Sequence, residues 1–271
     1  MAIQILHGAQ SDIGRKRLQN EDRYCVDPTL GLYIVCDGMG GSNAGEVASA
    51  LAIESIHRHI NEASQNPAIP LSGSWDPSAS PATNRLASAI RLANELIYSE
   101  SMTKPEWTGM GTTVVAALIT DDLLSFAHVG DSRLYLLRQT TLQPLTLDHS
   151  WVAEQVRTGM MTEDEAERSP RRNIVTRALG VDRRVDVTLG ETPLHPGDRV
   201  LLCSDGLTKG VRPAAILASL TRAEDMTTLS EDLIALANNA GGEDNTTVIV
   251  LSVSDAPEMN LWHQLRDRLA I

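Results

Sequence analysis

The chain has 271 residues, of which 42% are hydrophobic and 21% are charged, and its 23 basic and 35 acidic side chains give a net charge of −12. This is the composition of a packed globular protein, so it excludes global disorder. The acidic balance, the lack of long Lys or Arg runs and the few aromatic residues (four Trp, four Tyr and one Phe) argue against nucleic-acid binding.

The N-terminus lacks the charged and apolar regions of a signal peptide, and no apolar run approaches the roughly 18 residues of a membrane span. We therefore expect a cytoplasmic protein with no membrane partner. The three cysteines, Cys25, Cys36 and Cys203, show no CxxC spacing. They predict neither a disulfide framework nor a zinc site, and we expect small residues within strands.

Alternation of apolar and polar residues predicts strands in chain order at residues 3–9, 24–26, 32–36, 113–120, 123–129, 133–138, 185–189, 199–204 and 246–253. A helical period predicts helices at residues 45–60, 86–97, 151–158, 163–167, 212–220 and 226–240. Many antiparallel strands with helices in two separated pairs indicate an α+β fold, a central antiparallel β-sandwich flanked by pairs of α-helices.

Two segments stand apart from these elements. Residues 62–84 carry four of the twelve prolines and predict a loop or insertion inside the domain. Residues 255–271 form a tail with apolar residues at helical spacing, which predicts a short amphipathic helix. This helix would dock on its own domain or bind a partner.

Aspartates beside glycine or asparagine stand at four predicted strand ends, at Asp37, Asp131, Asp205 and Asp244. Any one of them is explained by turn chemistry. If the four ends converge, however, the carboxylates repel one another unless cations bind between them. Oxygen ligands suit Mg²⁺ or Mn²⁺, and two such ions about 3.5–4 Å apart clamp the attacking and leaving oxygens of a phosphoryl transfer.

Six motifs in series carry a resemblance to a known family: Asn20-Glu21-Asp22, Asp37-Gly38-Met39-Gly40-Gly41, Gly111-Thr112-Thr113, Val129-Gly130-Asp131-Ser132-Arg133, Ser204-Asp205-Gly206-Leu207 and Asp244-Asn245-Thr246-Thr247. With them the chain resembles a bacterial metal-dependent protein phosphatase of the type 2C (PPM) family. The resemblance implies a four-layer αββα phosphatase domain over residues 1–254, with a flap at about 148–180.

The resemblance also implies a metal centre. On the family pattern Asp37 bridges two Mn²⁺ or Mg²⁺ ions, the Gly38 carbonyl binds one of them, and Asp205 and Asp244 bind the other. Asp131, together with Asp205, matches the position of a third and weaker ion.

The remaining site residues follow from the same resemblance. Arg17 matches the phosphate-binding arginine and counts with Asp37 as catalytic, although without the motif it would read as a solvated surface charge. Glu21 and Asp22 would hold metal-bound waters. Asn245 would support the site from behind the ligands or serve only as a turn residue.

The implied activity is hydrolysis of phosphoserine and phosphothreonine by in-line attack of a water or hydroxide that bridges the two metals, without a phosphoenzyme. The sequence also lacks the motifs of phosphatases that form a phosphoenzyme. It has no Asp-x-Asp pair of the haloacid dehalogenase type, and none of its cysteines begins a Cys-x5-Arg loop. The substrates would be phosphoproteins of a Ser/Thr kinase system, and we expect a monomer.

The general acid is the least determined part of this pattern. Met39, Ser42 and Ser169 stand where some relatives carry histidine. We expect a metal-bound water to protonate the leaving group, and among the side chains His149 is the best-placed candidate.

Two other functions on the same fold stay open. One is a small-molecule phosphatase, and the other is a regulatory pseudo-phosphatase, against which the complete carboxylate set argues. In the flap, Arg171 and Arg172 would meet acidic or phosphorylated partners or lie in an ordinary solvated loop.

Overall fold

The computed structural model describes residues 3–40 and 44–256. Ser42 and nearly all of the predicted C-terminal helix lie outside the described residues. Among the helices that the structure describes, none is both long enough and apolar enough to span a bilayer. The three cysteines are free thiols, and Cys36 and Cys203 are buried.

The strands are β1 (Ile3–Asp12), β2 (Arg23–Asp27), β3 (Leu32–Cys36), β4 (Gly38–Met39), β5 (Gly111–Thr112), β6 (Val114–Thr120), β7 (Leu123–Val129), β8 (Arg133–Arg138), β9 (Thr141–Pro144), β10 (Thr188–Pro193), β11 (Arg199–Cys203) and β12 (Thr246–Asp255). The helices are α1 (Ala44–Gln65), α2 (Pro81–Thr103), α3 (Trp151–Arg157), α4 (Glu163–Arg168), α5 (Asp205–Thr208), α6 (Pro213–Leu220) and α7 (Met226–Asn239).

Two five-stranded antiparallel sheets form the centre of the described part of the chain. One has the order β1-β12-β11-β8-β9, and the other has the order β10-β7-β6-β3-β2. The short strands β4 and β5 pair separately, with Gly38 opposite Thr112 and Met39 opposite Gly111. This small ribbon continues directly from the end of β3, so it fixes the chain just beyond Asp37.

Three buried apolar clusters stack the elements into four layers. The first fills the space between α1, α2 and the inner strands β3, β6 and β7. The second lies between the two sheets. The third packs α6 and α7 against β8, β11 and β12. The predicted αββα sandwich is therefore confirmed.

The boundaries differ from the sequence prediction in two places. The irregular connection is shorter than residues 62–84, because α1 runs to Gln65 and α2 already begins at Pro81. Ser80 caps that helix by accepting a hydrogen bond from the Thr83 N–H at 3.2 Å, and proline suits its first turn. The strand predicted at 185–189 begins only at Thr188, where pairing with β7 starts.

Candidate metal centre and phosphate site

Asp37 follows the fully buried strand β3, and hydrogen bonds to its backbone N–H and carbonyl fix its position. Its N–H donates to Thr113 Oγ1 at 3.1 Å, and its carbonyl accepts from the Thr113 N–H and from Thr112 Oγ1, both at 2.9 Å. The Gly-Thr-Thr motif therefore serves to fix the position of Asp37. Burial, and after it the charges of Asp22 and Asp205, raises the pKa of Asp37 well above its usual range.

The glycines after Asp37 and Asp205 are required by close backbone approaches. A Cβ on Gly38 would lie 2.2 Å from the Gly45 carbonyl oxygen, and one on Gly206 would lie 2.0 Å from the Asn245 carbonyl oxygen. No side chain fits at either position. The first Asp-Gly step thus packs against the first turn of α1, and the second packs against the segment that precedes β12.

Asp131 lies at the start of β8 and is buried. The preceding Gly130 has φ of +107° and packs so closely on Thr113 that a Cβ would lie 2.6 Å from that side chain. Ser132 Oγ lies 2.7 Å from Thr113 Oγ1, so this turn is tied to the backbone of Asp37. Burial, with the nearby charge of Asp205, raises the pKa of Asp131 to about 7.

Asp205 and Asp244 share one cationic neighbour. The Lys209 Nζ lies 2.5 Å from Asp205 Oδ2 and 2.7 Å from Asp244 Oδ2. Arg17 Nε lies 2.8 Å from Asp244 Oδ1. Burial alone would raise the pKa of Asp244, but Lys209 and Arg17 outweigh it and hold that pKa below its usual range. At Asp205 burial prevails, and its pKa is raised.

Arg17 lies beside the carboxylates and is open to solvent. Its Nε lies 2.8 Å from Asp244 Oδ1, and its side chain is 50% exposed, so a ligand from solvent can reach the guanidinium. A planar guanidinium offers paired donors to phosphate oxygens, so the position agrees with the predicted phosphate-binding role.

Asn245 anchors the loop that carries Arg17. Its Oδ1 accepts from the Glu21 N–H at 2.9 Å, and its Nδ2 donates to the carbonyls of Ile13 at 3.0 Å and Gln19 at 2.9 Å. Asn245 is buried, and its side chain bonds to distant backbone groups, whereas a turn residue would bond to its own neighbours in the chain. It lies next to Asp244 and so fixes the loop relative to that carboxylate.

Glu21 and Asp22 sit at the inner end of this loop. The Glu21 carbonyl accepts from Ser49 Oγ on α1 at 2.6 Å, and burial raises the pKa of its carboxyl. Asp22 is buried, and its Oδ2 accepts from Ser204 Oγ at 2.7 Å. Burial raises the pKa of Asp22 to about 7 despite that hydrogen bond.

The acidic residues of the predicted centre thus converge. The pKa of Asp37 is raised, after burial, by the charges of four further carboxylates, those of Asp22, Asp205, Asp131 and Asp244. Such a group of buried carboxylates favours bound cations.

The donor set fits hard divalent cations. Asp22 Oδ1 and Asp205 Oδ1 are buried oxygens without a hydrogen-bond partner, and every candidate ligand is an oxygen. Over residues 3–40 and 44–256 no three His, Cys, Asp or Glu side chains surround a single metal position. We attribute this to Lys209 and Arg17, which draw two of the carboxylates to themselves.

His149 has a hydrogen-bonding role beside the centre. Its Nδ1 accepts from the Gly130 N–H at 3.1 Å, and its Nε2 lies 3.0 Å from Thr188 Oγ1 and 3.2 Å from Arg177 Nη1. The ring stacks on buried His128 at 4.6 Å between centroids. Burial, His128 and Arg177 lower the pKa of His149 to about 3. A ring that is neutral at pH 7 is a poor acid; the general-acid assignment stays a prediction.

The flap prediction covers α3, α4 and the chain that follows them. Ser150 pairs with Val175, and Thr112 pairs with Leu179, so the end of the flap is joined to the strand next to Asp37. The Arg171 guanidinium lies over the Trp151 ring at 4.9 Å. Ser169, Arg171 and Arg172 lie in the turn that follows α4. In that turn the Arg172 N–H donates to the Ser169 carbonyl.

Sequence reasoning gave no role to two basic residues, Lys209 and Arg133, although Arg133 stands in one of the six motifs. Lys209 lies four residues after Asp205, a spacing that places both side chains on one side of a helical turn. Arg133 binds Asp148 with two hydrogen bonds of 2.8 and 2.7 Å. Lys209 could have been found from its spacing, whereas nothing local in the sequence marks the partner of Arg133.

The four-layer fold and the carboxylates near its strand ends have the arrangement that the sequence motifs led us to expect for a phosphatase. A family model for protein phosphatase 2C matches residues 14–244. The chain therefore belongs to the protein phosphatase 2C family, as the sequence motifs predicted.

Curated relatives and solved structures agree with this membership. The chain is 37% identical over 261 residues to the serine/threonine phosphatase stp of Listeria welshimeri, covering 95% of this chain and 97% of the relative. It is 32% identical over 252 residues to the protein phosphatase PhpP of Streptococcus pneumoniae, covering 90% and 96%. The catalytic domain of the serine threonine protein phosphatase PstP, solved in complex with two manganese ions, superposes with a TM-score of 0.80 at 35% identity, covering 93% of this chain and all of that one.

Proposed function

We propose that this chain is a metal-dependent serine/threonine protein phosphatase. The observation that carries the proposal is the convergence of five buried or half-buried carboxylates at one edge of the sandwich, two of which have buried oxygens with no partner. The relatives, which are named serine/threonine phosphatases, and the two manganese ions of the PstP domain support the same activity.

The ligands follow from the position of each group. Asp37, the Gly38 carbonyl, Asp205 and Asp244 would hold two divalent cations, Mn²⁺ or Mg²⁺, and Asp131 with Asp205 would hold a third, weaker one. When bound, the cations supply charge neutralisation and activation of water for attack on phosphorus.

The other residues bind and orient. Arg17 would receive the phosphoryl oxygens through its Nη groups while Nε keeps its bond to Asp244. Glu21 and Asp22 would orient water through their carboxylates. Water is then the nucleophile, and no phosphorylated side chain forms on this chain.

The substrates of this proposal are phosphoserine and phosphothreonine in proteins. The side chain of Arg17 is half exposed and helix α4 of the flap has no buried residue, and such open surfaces suit a protein segment better than an enclosed small molecule. Arg171 and Arg172 are exposed on that flap and are available to acidic residues of such a segment.

A chelator experiment tests the proposal. Phosphopeptide hydrolysis is measured in the purified protein, then in excess EDTA, and then after Mn²⁺ is restored. We expect activity, its loss and its recovery. Activity that persists in EDTA contradicts a metal-dependent reaction. A panel that includes small phosphate esters separates a small-molecule phosphatase, and a protein inert on every substrate with Mn²⁺ bound is a pseudo-phosphatase.

A further inference from the structure

The Lys209 side chain lies between two carboxylates that the proposed function assigns to a cation. Its Nζ is within 2.7 Å of both Asp205 Oδ2 and Asp244 Oδ2, and the side chain is only 23% exposed. Both carboxylates favour the charged form of the lysine at these distances, so the residue is an ammonium ion inside the acidic cluster.

The local fold fixes this position. Asp205 begins the one-turn helix α5, and the Lys209 N–H donates to the Asp205 carbonyl at 2.8 Å at its end. The lysine thus stands one turn after the aspartate, and its side chain returns over that turn to the carboxylate. Asp244 comes from the loop before β12 and meets the same ammonium from the other side.

The Lys209 ammonium relieves the repulsion between the carboxylates of Asp205 and Asp244, which the fold brings together. Asp205 and Asp244 both lie within 2.7 Å of the same ammonium nitrogen, so the two carboxylates are close enough to repel each other. A cation between two carboxylates relieves that repulsion whether it is a metal ion or an ammonium. Both cannot lie between the same oxygens.

We propose that Lys209 is a built-in competitor for the divalent cation at the Asp205–Asp244 position, holding the two carboxylates together until a metal ion displaces its ammonium. The inference rests on the proposed function, because it takes Asp205 and Asp244 as ligands. Metal affinity at this position is then reduced by the fraction of molecules in which the lysine occupies it.

Two consequences follow for a protein without the lysine. Removing the ammonium lets the cation bind without first breaking two charge-assisted hydrogen bonds, so we expect binding to tighten on the order of 10-fold. The metal-free protein loses its counter-cation, so its thermal midpoint falls while that of the Mn²⁺-saturated protein does not.

The experiment is calorimetric titration of Mn²⁺ into the metal-free full-length protein, together with melting curves in EDTA and in saturating Mn²⁺. The variants are Lys209→Met and Lys209→Gln, the second serving if the first does not fold. The matched control is Lys16→Met, which removes the same charge from an exposed lysine beside Arg17. We expect tighter Mn²⁺ binding and a lower metal-free midpoint for both Lys209 variants and neither change for the control.

Unchanged or weaker Mn²⁺ binding in the Lys209 variants overturns the proposal, as does an equal tightening in Lys16→Met, which would show a general effect of net charge. If the wild-type protein binds no Mn²⁺, the assignment of Asp205 and Asp244 as metal ligands fails as well. Normal wild-type binding with no effect of Lys209 leaves the proposed function intact and removes this inference alone.

Discussion

Asn245 Oδ1 accepts a hydrogen bond from the backbone N–H of Glu21 at 2.9 Å, although 224 residues separate the two along the chain. The same side chain donates to two further backbone carbonyls of the loop that bears Arg17. One buried amide therefore joins the loop that carries Arg17 to the segment that carries Asp244, just before β12.

Replacing Asn245 with Ala should loosen this loop. It leaves one buried N–H and two carbonyls without partners, at a cost of about 1–3 kcal/mol for each group that stays buried. Because Arg17 is then poorly placed, we expect kcat/KM on a phosphopeptide to fall roughly 10-fold, mainly through KM, since about 1.4 kcal/mol corresponds to tenfold.

The matched control is Asn84→Ala, which removes a buried amide that accepts from the Asp76 N–H at 2.8 Å and donates to three backbone carbonyls of the connection before α2. It should lower the melting temperature and leave KM unchanged. Equal KM values for wild type and Asn245→Ala would show that the amide serves the fold alone.

Much of the fold was predictable because its layers follow from apolar periodicity. The bounds of β3, β7 and β8 agree with prediction, since each is a buried run with sharp polar ends. The two-residue strands β4 and β5 were not predicted, because a pair so short has no period of its own. The early start predicted for β10 arose from Val185 and Val187, which pack on the first core cluster without pairing.

The carboxylates of the candidate centre and Arg17 were predicted from the sequence motifs, whereas Lys209 was not. Asp37 and Asp205 carry local glycine signals that mark close backbone approaches. Lys209 carries no such signal, and its importance arises only when Asp244 approaches from a distant loop. Asn245 likewise gains its role from three backbone groups near the opposite terminus.

Asp37→Ala should abolish most activity on phosphopeptides. The charges of four neighbouring carboxylates raise the pKa of Asp37, and Asp37 is the proposed bridge between two cations. Its loss should cost several kcal/mol of transition-state stabilisation, on the order of 10³-fold or more in kcat. Asp27→Ala is a suitable control. Asp27 contacts His57 and pairs with Leu32 at the start of β3, whereas Asp37 follows the other end of that strand. Comparable losses in both variants would contradict a special role for Asp37.

The metal-free protein should become less stable as the pH rises from about 4 to about 7. Burial raises the pKa values of Asp22 and Asp131 from 3.8 to about 7 in the folded chain, so the folded state binds more protons than the unfolded state in this window. The free energy of unfolding therefore decreases with pH until both folded groups have ionised.

Urea titrations in EDTA at several pH values measure this dependence. Asp131→Asn should flatten it, because the amide does not titrate. A wild-type protein that is most stable at pH 7 in EDTA would show that these carboxylates do not retain protons.

Asp131→Ala should separate the third cation from the other two. Asp131 lies apart from the Lys209 contacts of Asp205 and Asp244, so the proposed binuclear pair keeps its ligands. We expect calorimetry to retain two Mn²⁺ ions while phosphopeptide turnover falls. A variant that binds no Mn²⁺ would show that Asp131 is needed for the pair itself.

His149→Ala distinguishes a general acid from a structural ring. A serine alkoxide needs a proton on departure and a nitrophenolate scarcely does, so a general acid worth about 10²–10⁴-fold would matter for phosphopeptides alone. The ring instead joins Gly130 to Thr188 and has a pKa of about 3, so it is neutral at working pH. We therefore expect a modest loss of kcat that is similar for a phosphoserine peptide and for nitrophenyl phosphate.

Because His149 supports the turn before Asp131, the loss should come with weaker binding of the third cation. A large loss confined to the peptide would instead assign the proton to His149.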